Sequence, residues 1–122
     1  MKSHKNLIVW QKSMTLVTRL YEVTKAFPKE EIFGITSQMR RAAVSIPSNI
    51  AEGYGRVYVK ETVKFLSNAL GSASELEIQL QICVRLSLAP ASELNELVAL
   101  TEEILRMLAS LVKTVDMSTH NM

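Results

Sequence analysis

From residue 58 to residue 86 no proline interrupts a run in which apolar residues return every three or four positions. Val59, Val63, Leu66, Leu70, Ala73, Leu76, Leu80 and Cys83 carry the repeat. A period near 3.6 is that of an α-helix, whereas strand side chains alternate every two residues. At about 1.5 Å per residue such a helix spans roughly 40 Å. Gly71 sits in its middle beside Ala69, Ser72 and Ala73. Glycine there costs about 1 kcal/mol against alanine, so the small residues predict the close approach of another helix.

Three further segments carry the same period. The first covers about residues 7–27, with Leu7, Trp10, Met14, Val17 and Tyr21 on one face and Val9, Leu16, Leu20, Val23 and Phe27 on another. Asn6 is its expected cap and Pro28 its stop. The second covers about residues 32–53, after the acidic pair Glu30 and Glu31, and runs through Ile32, Ile35, Met39, Ile46 and Ile50. Gly34 weakens its start, so Thr36 or a neighbour is a candidate cap. Pro47 removes the bond to the Ala43 carbonyl, which predicts a kink at that point. Gly53 and Gly55 are expected to end the segment by accepting positive φ. The third helix covers about residues 58–86. The fourth covers about residues 92–115, with Ser92 as cap and Leu94, Leu97, Ile104, Leu108, Leu111 and Val115 as its main stripe. Residues 116–122 lose the period and are expected to fray.

Four long amphipathic helices with short connections predict an all-α fold: an antiparallel up-down-up-down four-helix bundle, helix 2 kinked at Pro47, in one domain over residues 1–122. The first and fourth helices carry more apolar surface than one bundle core uses. Surplus of that kind implies a partner, most simply a second copy of the chain.

Composition excludes several kinds of chemistry. Only 4 Gly, 3 Pro and a 6% aromatic content leave poor material for a β-sandwich or barrel. The single cysteine, Cys83, rules out an intramolecular disulfide and a cysteine-based zinc site, and it reads as a core residue. His4 and His120 lie near opposite ends, and neither has a glutamate three residues before it, as di-metal bundles require. The fragment GYGR lacks the surroundings of a nucleotide loop. No metal or cofactor is expected. The N-terminal apolar run covers residues 7–10, too short for a signal peptide, and no stretch approaches the length of a membrane span. A cytoplasmic protein with a reduced thiol is the expectation.

Charge is unevenly spread. Residues 1–64 hold eleven Lys/Arg against five Glu, while residues 65–122 hold three against six Glu and one Asp; the total is +2. Such asymmetry marks a polyanion-binding face or helices that attract one another within the bundle.

Two constellations stand out. Gln38, Arg41, Ser45, Asn49, Glu52 and Arg56 are three or four apart and share one side of helix 2, as Asn68, Ser72, Glu75 and Gln79 do on helix 3. They read as an active-site groove or, preferably, as a buried polar network containing an Arg41 to Glu75 contact. Second, Arg56, Lys60 and Lys64 form a ridge at the start of helix 3, beside Tyr54 and Tyr58 and with Arg40 on helix 2. Basic and aromatic side chains together suit RNA, because bases stack on tyrosine while cations take phosphates. A solvated charged face is the plainer reading, and Glu61 dilutes the field.

The runs SQMRRAAVSIPSNIAEGYGR at residues 37–56 and KFLSNALGSASELEIQL at residues 64–80 resemble a known family. It comprises the four-helix-bundle proteins encoded in intervening sequences of bacterial large-subunit ribosomal RNA genes. The stretch LIVWQKSMTLVTRLYEVTKAFPKEE at residues 7–31 fits as well, and the likeness covers about residues 7–115. The resemblance implies an antiparallel bundle assembled as a homopentamer with a central channel and without enzymatic activity. It also implies a relation to the accessory protein of diversity-generating retroelements, a basic bundle that binds nucleic acid and a reverse transcriptase. The residues matching the family's motif are Gln38, Arg41, Ser45, Pro47, Asn49, Glu52, Gly53, Arg56, Gly71, Ser72 and Glu75.

The expected function is therefore that of a non-enzymatic oligomer binding structured RNA through residues around Arg40 to Lys64. The rivals are a scaffold or adaptor for a protein partner, and a small enzyme using Glu52 or Glu75.

Overall fold

The computed structural model describes residues 3–120, with the side chains of residues 3–118. Four α-helices dominate it: α1 Ile8–Thr24, α2 Ser37–Tyr54, α3 Val59–Leu86 and α4 Ala91–His120. The described residues contain no strand.

Most boundaries lie within a few residues of those read from the period. α1 is shorter at both ends. Its cap position is Leu7 rather than Asn6, with no side-chain hydrogen bond. Ser3 instead caps a short 3-10 turn, His4–Asn6, by accepting from the Lys5 N–H at 3.2 Å. α2 starts five residues late, because a 3-10 turn (Lys29–Glu31) and a π-helical turn (Ile32–Thr36) precede it. Gly34 holds non-helical dihedrals there (φ −106°, ψ −119°) and redirects the chain. Thr36 occupies the cap position of α2 but makes no side-chain cap bond: its dihedrals are helical, it is buried, and its hydroxyl has no hydrogen-bond partner among the described residues. α4 starts at Ala91, before Ser92, with the Glu93 and Leu94 N–H groups reaching the Pro90 carbonyl at 3.1 and 3.2 Å. It also runs on to His120, so residues 116–120 are helical rather than frayed; residues 121 and 122 lie outside the described residues.

α2 continues through Pro47, whose ring is buried. No glycine has positive φ, so Gly53 and Gly55 end α2 by another route. A Cβ on Gly53 would lie 3.1 Å from Phe65 Cβ and 3.2 Å from the Thr62 carbonyl oxygen. Gly53 therefore serves the close approach of α2 to α3, where the Thr62 hydroxyl donates to its carbonyl at 2.9 Å. Gly71 shows the opposite: nothing lies within 4 Å of its missing Cβ. The close approach expected there is not made inside the chain.

The core is a single apolar cluster drawn from all four helices. Leu16 and Leu20 of α1, Met39, Ile46 and Ile50 of α2, Leu66, Leu76 and Leu80 of α3, and Leu94, Ile104 and Leu108 of α4 are fully buried. Burying each such side chain contributes about 1.5–3 kcal/mol. Contacts between α2 and α3 pair in reverse chain order, as antiparallel neighbours do: Met39 with Cys83, Ser45 with Ser72, and Gly53 with Thr62. α1 and α4 behave alike, pairing Lys12 with Glu103 and Arg19 with Glu96.

Candidate nucleic-acid interface

Residues 55–58 join α2 to α3 and place the basic ridge at one end of the bundle. The Arg56 guanidinium organises that end. Its Nη2 donates to Glu52 Oε2 at 2.9 Å, its Nη1 lies 4.0 Å from Glu61 Oε1, and its carbon stands 4.7 Å from the centre of the Phe65 ring. Arg56 thus pairs closely with Glu52 and only at longer range with Glu61, and its single positive charge balances one of the two carboxylates. Lys60 and Lys64 are exposed and form no ion pair among the described residues. Tyr58 is 70% exposed beside them. A shallow hollow of about 590 Å³, lined by Ser48, Ala51, Glu52, Gly55 and Arg56, opens next to the ridge. Inside it Ser48 donates to the Val44 carbonyl at 2.8 Å.

Two of the six RNA-contact candidates are placed elsewhere or turned inward. Arg40 lies sixteen residues before Arg56, roughly 24 Å along the helix axis. Its Nε donates to Thr24 Oγ1 at 3.0 Å and its guanidinium lies 4.5 Å from the Tyr21 ring centre, so it clamps α2 to α1. Tyr54 is half-buried against the core, and burial raises its phenol above the usual range. Arg56, Tyr58, Lys60 and Lys64 are exposed, in the α2–α3 connection and the first turns of α3.

The polar stripe divides in the same way. Ser45 and Ser72 share a hydrogen bond at 2.8 Å across α2 and α3. Asn49 Nδ2 donates to the Ser45 carbonyl at 2.8 Å and to its hydroxyl at 2.9 Å. These three make a compact, half-buried network. Gln38, Arg41, Glu52 and Glu75 are exposed instead. No ion pair joins Arg41 to Glu75 among the described residues; the Glu75 carboxylate accepts from Gln79 Nε2 at 3.2 Å. Both side chains are exposed, and the α2–α3 register, with Met39 against Cys83 and Ser45 against Ser72, does not set Arg41 opposite Glu75.

Spacing along the chain did not reveal the α1–α4 pairs. Lys12 meets Glu103 at 2.7 Å and Arg19 meets Glu96 at 3.3 Å. Part of the uneven charge is therefore spent inside the bundle, basic first helix against acidic fourth. Exposed pairs of this kind contribute about 0–1 kcal/mol each. Cys83 is a buried free thiol 3.6 Å from Met39 Sδ, and burial, with the charge of Glu31 second, pushes it up to about 11.

The described residues contain no group of three or more His, Cys, Asp or Glu able to hold a metal ion. No described helix is long and apolar enough to cross a membrane.

A solved crystal structure from Bacteroides thetaiotaomicron, described as a protein of unknown function from the S23 ribosomal protein family, superposes with a TM-score of 0.81. The two share 24% identity, over 87% of this chain and 99% of that one, a likeness that establishes the fold. Among curated proteins no relative matches. The model of the 23S rRNA-intervening sequence protein family matches residues 5–110, across all four helices and the whole of the α2–α3 turn. The chain is therefore a member of the 23S rRNA-intervening sequence protein family.

Proposed function

We propose that this protein is a non-enzymatic homo-oligomeric bundle that binds structured RNA at the α2–α3 end, in the cytoplasm. The carrying observation is that Lys60 and Lys64 are exposed with no ion pair among the described residues, Glu52 being held by Arg56, and that the exposed Tyr58 ring adjoins them in the chain. Free ammonium groups suit phosphates, and an exposed phenol suits an unstacked base. The family resemblance favours five copies. At +2 each, a ring of five would carry +10 and repeat the ridge five times. A ring spaces its ridges around one rim, which fits a folded RNA better than a single contact does.

The test is binding of a labelled stem-loop RNA across a salt series. Lys60→Ala with Lys64→Ala is expected to weaken binding about tenfold or more and to lower the slope of log K against log salt by about two. Tyr58→Ala should weaken it at every salt concentration. Unchanged affinity in the lysine double variant would refute the assignment.

A second reading, a protein scaffold, draws on Phe33. Its ring is 97% exposed on the π-helical turn. Apolar docking there would hardly weaken as salt rises, and that separates the two readings.

A further inference from the structure

The outer side of α3 carries a ridge. Ile78 is 60% exposed, Ile82 42% and Leu86 59%, each four residues from the next. Two turns before Ile78, exposed Gly71 has open space where a side chain would stand. Glycine inside a 28-residue helix is unfavourable against alanine, and no neighbour within the chain accounts for it. Glu75 lies between them on the same side. Gln79, which donates to it, is only 7% exposed, yet its carbonyl oxygen accepts no hydrogen bond from the described residues. A buried acceptor left so is unfavourable.

A second apolar surface lies between α1 and α2. Trp10, Met14, Val17, Val44 and Pro47 line a groove of about 320 Å³. Arg41 stands one turn before Val44 and has no ion-pair partner among the described residues.

We propose that the α3 ridge of one copy docks into the α1–α2 groove of the next, with Arg41 of the receiving copy pairing with Glu75 of the ridge. This rests on the homo-oligomeric reading above and names its contact. Arg41 beside the groove and Glu75 beside the ridge are exposed, opposite in charge, and without an ion pair among the described residues. Head-to-tail union joins opposite charges and covers both apolar surfaces once per copy, and such contacts close into rings when the rotation permits. The guanidinium has five N–H donors, enough to hold the exposed Glu75 carboxylate in a bidentate pair. Gly71 lets the neighbouring helix come close.

Native mass spectrometry with sedimentation velocity over a concentration series tests this. The wild-type chain is expected to be an oligomer. Ile78→Glu and Gly71→Ala should each weaken association about tenfold or more. Helicity by circular dichroism should hold, since both positions are exposed. Arg41→Glu and Glu75→Arg should each weaken it likewise, and the two together should restore it. A monomeric wild type would overturn the homo-oligomeric reading itself. An oligomer that persists in Ile78→Glu and Gly71→Ala would leave that reading standing and overturn the ridge-in-groove contact. A double swap that fails to restore assembly would overturn the Arg41–Glu75 pairing.

Discussion

Ser87 closes α3 in the left-handed region, with φ 54° and ψ 42°, the one positive φ among the described non-glycine residues. The Leu88 N–H reaches back to the Cys83 carbonyl at 3.2 Å and satisfies an end carbonyl. Serine pays a steric cost in this conformation that glycine escapes. Ser87→Gly is expected to raise stability by about 0.5–1 kcal/mol in urea denaturation; a loss would mean that the serine hydroxyl contributes more than the backbone strain costs. Single residues also show where a sequence reading ends. That Cys83 is a buried thiol follows from its apolar neighbours in LQICVRL. That Arg40 faces Thr24 and Tyr21 rather than solvent does not follow, because spacing on α2 cannot say which residue of α1 stands opposite.

At the scale of elements, the α2–α3 corner depends on a missing side chain. A methyl group at Gly53 would press on the Thr62 carbonyl, a backbone atom that cannot rotate away, as well as on Phe65. Gly53→Ala is therefore expected to destabilise the fold by about 1–2 kcal/mol, although alanine is the better helix former. Urea denaturation measures this, and a neutral or stabilising result would show that the corner is looser than its contacts imply. The four helices themselves were legible in the chain, because a 3.6-residue period is a local property that survives any packing. Their starts were less so. The turns before α2 depend on where the chain must redirect to reach its partner, and the early start of α4 on Pro90 offering its carbonyl.

At the scale of the whole molecule, charge shows what the packing decided. Lys12 and Arg19 of α1 meet Glu103 and Glu96 of α4, while Glu77 of α3 faces Glu102 of α4. Burial first, then the hydrogen bond and charge of Glu102, raise the Glu77 carboxyl above its usual value. A raised folded value means that the native state holds the proton more tightly than the unfolded chain does. Stability from this pair is therefore present below the ordinary glutamate range and lost as pH rises through the folded value. Glu102→Gln is expected to raise Tm by about 1–3 °C at pH 7, with the gain vanishing near pH 4. A gain that does not change with pH would point to packing instead of repulsion. By itself the sequence determined the helices, the family and the set of basic residues near the second turn, since each rests on periodicity or on a contiguous motif. Only the tertiary structure decided which cations are spent inside the bundle, which carboxylates Arg56 occupies, and which apolar stripes stay uncovered. Those outcomes depend on how helices rotate against one another, and no single helix's pattern contains that rotation.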